Sequence, residues 1–242
     1  MIDAFITVRS TSSRLPGKCF LPFGEYSVLE HVIRRTQHYD LSPIVCTTTD
    51  KEDDAIAGMA MRIGVRCFRG LSVNKLQRWS DCCKEFNIKI FHTVDADDPF
   101  FCGEEVKRSF AEINNGFDMI APSPSSSNGG ATVGYTLRAD IIEKACKGLA
   151  LDTDTEMMWS YVEKVPGLKK TTLSNPVKSI ITQRMTLDYH EDYIFLEAIR
   201  SILGNYATRD EIFRLLDSNP DLEKINAWRS DEWAKNQLAK SI

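Results

Sequence analysis

Two rhythms of apolar and polar positions alternate along the chain. Short apolar runs rich in β-branched residues are followed by segments whose apolar positions recur every three or four residues. The first run, 2–8, predicts a strand. Residues 27–38 put Val28, Leu29, Val32 and Ile33 on one face and predict a helix. A second strand is expected over 44–48. It is followed by a helix over 51–63, with Asp50 as N-cap and Gly64 as stop. The same alternation continues with a strand at 66–68, a helix at 72–85 and a strand at 89–94. A helix over 104–114, closed by Gly116, and a short strand at 118–121 follow. Strand–helix alternation of this kind predicts an α/β fold: a three-layer, doubly wound, mainly parallel, Rossmann-like sheet with helices on both faces.

Regularity weakens after Pro122. Residues 122–130 are rich in Ser, Pro, Gly and Asn and predict a loop. Strands are expected over 132–137, 169–173 and 184–187, and helices over 139–147, 152–162 and 191–203. Thr208 and Glu211 have capping-box spacing ahead of a further helix over 211–216. With no internal repeat and no low-complexity linker, the simplest expectation is one domain over 1–242. Residues 1–200 would be its catalytic core and 201–242 an appended helical extension.

Composition narrows the function classes. The 242 residues carry 30 Lys+Arg against 34 Asp+Glu, a net charge of −4, and 43% are apolar. That balance disfavours disorder and gives no overall electrostatic case for nucleic acid or an anionic membrane as partner. No apolar run approaches the ~20 residues that span a bilayer. The first residues lack the pattern of a secretion signal, so a cytoplasmic protein is expected. Seven cysteines show no Cys-x-x-Cys spacing, and none of the four histidines pairs with one at zinc-ligand spacing. They are expected as reduced thiols.

Three clusters carry chemistry. Residues 9–18, Arg9-Ser10-Thr11-Ser12-Ser13-Arg14-Leu15-Pro16-Gly17-Lys18, leave the first strand at the end where open α/β sheets bind ligands. Small side chains let backbone N–H groups approach an anion, and Arg9, Arg14 and Lys18 supply charge for several phosphate oxygens. The pattern is neither a Walker loop nor a Gly-x-Gly-x-x-Gly fingerprint. A solvated basic loop is the alternative. The second cluster places Asp95, Asp97 and Asp98 after a strand. Crowded carboxylates favour a hard cation such as Mg2+, and an Asp-Asp-Pro turn is the plainer reading. Which of the three would touch a metal stays open. In the third cluster, Asp188 lies between an apolar run and a helix, where it could equally be an N-cap. If Asp188 lies beside Asp97, the pair would form a two-carboxylate Mg2+ site facing the basic loop, an arrangement that suggests metal-assisted nucleotidyl transfer.

These residues carry a resemblance. The stretch Ser12-Ser13-Arg14-Leu15-Pro16-Gly17-Lys18, the segments Thr47-Thr48-Thr49-Asp50 and Phe68-Arg69-Gly70, and Leu76-Gln77-Arg78 resemble the sugar nucleotidyltransferases. So do Asp97-Asp98-Pro99-Phe100, the run Leu187 to Asp192, and the ending Leu215-Leu216-Asp217-Ser218-Asn219-Pro220 with Ile225-Asn226. Within that superfamily the chain is similar to cytidylyltransferases of the spore-coat polysaccharide and acylneuraminate type. The resemblance implies a nucleotide-diphospho-sugar transferase-like fold and transfer of CMP from CTP to a sugar acid or phosphorylated acceptor, with release of pyrophosphate. It implies that Arg9, Ser12, Ser13, Arg14 and Lys18 hold the triphosphate, with Arg14 and Lys18 nearest the reacting phosphates. Thr48, Asp50, Arg69 and Arg78 would line the base and phosphate side. Asn128, Gly129 and Gly130 would close the acceptor pocket, and Asp97 and Asp188 would ligate Mg2+.

Three departures bear on the acceptor. Ala96 replaces the usual glycine before the metal Asp, Asn74-Lys75 stands where an acidic residue is common, and Tyr189-His190 interrupts the usual Asp-Thr-Pro-Glu-Asp run. A related enzyme using another nucleotide and a sugar 1-phosphate, and a catalytically silent nucleotide-sugar-binding subunit, are the competing readings. Relatives often dimerise, and Met157-Met158-Trp159-Tyr161 is an apolar stripe that could serve a homodimer or the chain's own core.

Overall fold

The central strand, β1 (Ile2–Thr7), explains the layering. Its successive side chains point to opposite faces. Ala4 and Ile6 join one apolar core, and Phe5 joins the other. The computed structural model describes residues 1–240 apart from Ser13 and Val177, with the backbone alone described for 237–240. After β1 come β2 (Pro22–Phe23), β3 (Tyr26–Ser27), α1 (Val28–His38) and β4 (Leu41–Thr48). Next are α2 (Asp54–Ile63), β5 (Arg66–Gly70), α3 (Lys75–Glu85), β6 (Ile90–Asp95) and α4 (Gly103–Ile113). The second half holds β7 (Met119–Ala121), β8 (Thr136–Arg138), α5 (Ala139–Cys146), α6 (Trp159–Val162) and β9 (Lys170–Thr172). It ends with α7 (His190–Leu203), α8 (Arg209–Ser218) and α9 (Ser230–Lys240).

Among the described residues, seven strands form one sheet in the order β5-β4-β1-β6-β8-β7-β9. The first four run parallel. β8 runs against both β6 and β7, and β9 returns parallel to β7. Helices α1, α2 and α4 cover one face through Leu29, Val32, Ile33, Ile56, Met59 and Val106. Helices α3, α5 and α6 cover the other through Leu76, Trp79, Cys82, Ile141, Ile142 and Val162. This is the expected three-layer, mainly parallel sheet. A third cluster seats α7 and α8 on the β2–β3 hairpin. There Phe195, Leu196 and Ile199 are fully buried, each stabilising by about 2 kcal/mol.

Three local expectations are corrected. Residues 184–187 form no strand among the described residues. Met185 and Leu187 are buried as the alternation implies, but their N–H groups bond the carbonyls of Gly129 (2.8 Å) and Asp97 (2.7 Å), which lie in loops and offer no strand edge. The helix expected over 152–162 is confined to α6. Ahead of it, side chains compete for the backbone: Leu76 N donates to Thr155 Oγ1 (3.0 Å), and Glu156 N donates to Asp154 Oδ1 (2.8 Å). Most of the strand expected over 132–137 is also lost. The N–H groups of Thr132 and Val133 donate to Ser126 Oγ instead of a neighbouring strand. The 122–130 loop contains a wide turn, Ser126–Gly130.

Candidate active site

Parallel strands leave their carboxyl ends, and the loops that follow, on one edge of the sheet. Here that edge gathers 8–18 after β1, 49–53 after β4 and 96–102 after β6. The first loop is folded by its own backbone. Gly17 N donates to Ser10 O (3.2 Å), and Gly17 adopts a left-handed φ of 67° that turns the chain at Lys18.

That turn delivers Lys18 between two carboxylates. Its Nζ donates to Asp97 Oδ2 at 2.6 Å, to Asp188 Oδ1 at 3.0 Å and to the Leu187 carbonyl at 2.7 Å. Arg14 also reaches Asp188 Oδ1, at 2.5 Å. Asp97 and Asp188, distant in sequence, therefore share one cation. Burial alone would lower the Lys18 pKa, but the Asp97 and Asp188 charges outweigh it and hold the ammonium above its ordinary range. Burial opposes ionisation of Asp188, yet Lys18, Arg14 and Arg184 together keep its pKa well below the usual carboxylate range. Asp95, Asp97 and Asp98 also meet: one oxygen of each lies within 4.8 Å of the others. Loss of water in the cleft, with the Asp97 charge behind it, pushes Asp95 up to about 6, although its outer surface stays exposed. Desolvation and the charges of Asp97 and Asp95 raise Asp98.

The remaining expected residues have varied placements. Arg9 pairs with Glu156 at 3.7 Å across the mouth of the site. Ser12 Oγ accepts from Leu15 N (3.4 Å) within the loop. Ser13 lies outside the described residues. The Thr48 hydroxyl is buried and donates to Asp53 Oδ2 at 2.6 Å. Asp50 accepts from Ser72 Oγ. Arg69 clamps the neighbouring loop: Nε donates to Thr48 O, Nη2 to Asp50 O (both 2.8 Å), and Nη1 pairs with Asp54 at 2.7 Å. Arg78 is buried, and its Nη1 donates to the carbonyls of Leu71 and Ser72. The guanidinium hydrogen bonds of Arg69 and Arg78 thus go to backbone carbonyls and Asp54. Asn128 is exposed at the crest of the wide turn, and Gly129 takes a φ of 106°. A Cβ on Gly130 would lie 2.6 Å from Ser125 O and 2.7 Å from Ile181 O, so only glycine fits there.

Four residues that matter here escaped the sequence reading. Asp53 ties the first loop to β4, accepting from Ser10 N (2.8 Å) and from the hydroxyls of Ser10, Thr47 and Thr48. Its place four residues after a Thr-Thr-Thr run was the available signal. Arg184 and Asp192 flank Asp188 at four-residue intervals, which marks a helix entry more readily than an ion network. Asn226 stood only in the Ile225-Asn226 piece of the family resemblance, which gave it no role.

The seven-stranded, mainly parallel sheet with helices on both faces has the nucleotide-diphospho-sugar transferase-like fold. The sequence profile of the family described as Cytidylyltransferase matches residues 4–191, and the chain belongs to that family of nucleotidyltransferases. It is 28% identical over 230 residues to the spore coat polysaccharide biosynthesis protein SpsF of Bacillus subtilis, covering 89% of this chain and 94% of that protein. A cytidylyltransferase structure from Leptospira borgpetersenii superposes with a TM-score of 0.79 at 22% identity, covering 91% of this chain and 95% of that one. The structure of CMP:2-keto-3-deoxy-manno-octonic acid synthetase complexed with CTP superposes with a TM-score of 0.61 at 12% identity, covering 84% and 99%. No helix among the described residues is long and apolar enough to cross a membrane.

Proposed function

We propose that the chain transfers CMP from CTP to a sugar acid or a phosphorylated small-molecule acceptor, with Mg2+ as cofactor, in surface polysaccharide synthesis. One observation carries this reading: Lys18 Nζ lies within 3.0 Å of carboxylates from two separate loops, with Arg14 beside it. The biosynthetic role named for SpsF and the CTP bound to the synthetase support the choice of nucleotide and acceptor class.

The donor set fits Mg2+. Asp97 and Asp188 are hard oxygen donors already drawn around a single positive charge, and Asp95 and Asp98 stand next to Asp97. When bound, the ion would neutralise charge on the phosphates. The chain's own groups do the rest. Arg14 and Lys18 orient the triphosphate for in-line attack by an acceptor oxygen on the α-phosphorus. That oxygen forms the new P–O bond, a hydroxyl acceptor passing its proton to water and an ionised phosphate having none to lose, while the α–β bridging bond breaks and pyrophosphate leaves. Catalysis comes from positioning and from charges that matter most as the leaving group develops. Arg69 and Asp53 would serve by shaping the loops on the base side, and 201–242 would belong to the same functional unit.

A pyrophosphate-release assay over the four nucleoside triphosphates, each with a panel of sugar acids and sugar phosphates, tests this. CTP should support turnover at least ~10-fold above the others, the factor that 1.4 kcal/mol of discrimination gives. Preference for another triphosphate would replace the cytidylyl reading. No release with any pair would favour a silent binding subunit.

A further inference from the structure

We infer that the C-terminal segment 220–236, which supplies no ligand to the cleft, positions the Asp188 carboxylate through Asn226, Asp192 and Arg184. The inference rests on the proposed role of Asp188 as a metal ligand.

The two oxygens of Asp188 have different partners. Oδ1 faces Arg14 and Lys18. Oδ2 accepts from Arg184 Nη2 at 3.0 Å, behind the cleft. Arg184 is itself fixed by Asp192, with Nε to Oδ1 at 2.9 Å and Nη2 to Oδ2 at 3.1 Å. Asp192 also holds the backbone: the N–H groups of Asp188 and Tyr189 both donate to its Oδ2 at 2.9 Å. One fully buried carboxylate thus fixes both the main chain and, through Arg184, the side chain of Asp188.

Asn226 closes this network from the tail. It is 1% exposed, and its Nδ2 donates to Asp192 Oδ1 and to the Arg184 carbonyl, both at 3.0 Å. The tail makes a second approach at Tyr189. Arg229 pairs with Glu191 at 3.1 Å and lies 4.7 Å from the Tyr189 ring centroid, and Asn236 Nδ2 donates to the Tyr189 hydroxyl at 3.0 Å. Arg14 lies 5.6 Å from the same ring. Groups behind a ligating carboxylate set its orientation, and their loss typically weakens metal affinity ~10–100-fold.

The test is direct Mn2+ titration by electron paramagnetic resonance, with CTP present, on the full chain and its Asp188→Asn, Asn226→Ala, Arg184→Lys and Leu216→Ala variants. Melting temperature is recorded for each, and CTP affinity without metal serves as a second readout. Asn226→Ala should weaken Mn2+ binding ~10-fold or more while changing metal-free CTP affinity less than about threefold. Arg184→Lys keeps the charge but loses the two-carboxylate geometry, so it should show the same split and serves if the Asn226 variant does not fold. Leu216→Ala, in the α8 core, should lower the melting temperature with Mn2+ affinity unchanged. Wild-type Mn2+ affinity in a folded Asn226 or Arg184 variant, with Asp188→Asn weakened, would overturn the inference and leave the metal reading standing. An Asp188→Asn protein that binds Mn2+ normally would remove both.

Discussion

Two carboxylates face the same lysine, yet the chain holds them differently. Asp97 lies on the loop after β6 with its side chain 28% exposed, and its ion pair is with Lys18 at the open side of the cleft. Asp188 is 4% exposed and pairs with Arg14, Lys18 and Arg184. One carboxylate pairs with a lysine at a partly open surface, whereas the other is anchored in a buried network. Under the proposed function, a site for a polyphosphate and a cation would gain from this division: a fixed reference on one side and a more open partner on the other.

The largest expected effect tests what the two share. Lys18→Ala removes the charge between them, and turnover in the pyrophosphate assay should fall by roughly 10²–10³-fold, as losses of a transition-state donor do. The protein should stay folded, because Arg14 and Arg184 still hold Asp188. Unchanged turnover would remove Lys18 from the chemistry. The next effect separates the two. Asp188→Asn leaves Arg184 and Arg14 short of a buried partner and should cost about 3–5 kcal/mol in urea unfolding. Asp97→Asn should cost less than about 1 kcal/mol while still abolishing metal-dependent activity. Equal costs would erase the distinction between anchor and partner.

The last effect, seen only as a pH trend, contrasts these carboxylates with a buried neutral group. His92 is fully buried in β6, beside Thr136 of β8. Its Nε2 accepts from Gly134 N (3.2 Å), which assigns the proton to Nδ1 facing Thr136 Oγ1 (2.8 Å). Burial pushes its pKa down to about 3, against ~6.5 in an unfolded chain. The unfolded state therefore takes up the proton first as pH falls. The stability His92 contributes is complete above ~6.5 and drains away below it. The cost of His92→Gln should accordingly shrink by about 1.2 kcal/mol between pH 6 and 5, read by urea unfolding. A constant cost would mean that His92 is charged in the folded protein. Asp188, whose pKa is held far below this range, should show no such trend.

What the sequence made legible was local. The apolar run 2–8 marked β1, and Thr208 with Glu211 marked the start of α8, where Glu211 N donates to Thr208 Oγ1 and Glu211 Oε2 accepts from Thr208 N. The basic loop and the acidic runs stood out by composition alone. Meetings between distant segments did not. Residues 184–187 have the alternation of a strand, but a strand needs a neighbour with free backbone groups, and only loops lie beside them. The helical signal over 152–158 lost to hydrogen bonds between Thr155, Asn74 and the backbone of α3. Asn226 illustrates the limit: the resemblance marked Ile225-Asn226 and the run ending in Asp192 separately, but not that the two meet across 34 residues.

The reversed strand has a practical consequence for anyone rebuilding this cleft. Wherever strands run parallel, the residues to vary are those that follow a strand. Because β8 runs the other way, its contribution to the same edge comes from residues that precede it, through the wide turn at Ser126–Gly130. A mutational library drawn up by the usual rule would sample the residues that follow β8, at the start of α5 on the far edge, and miss this turn. Within the turn itself, Ser127 and Asn128 are open to change, whereas Gly130 is closed on both sides by backbone.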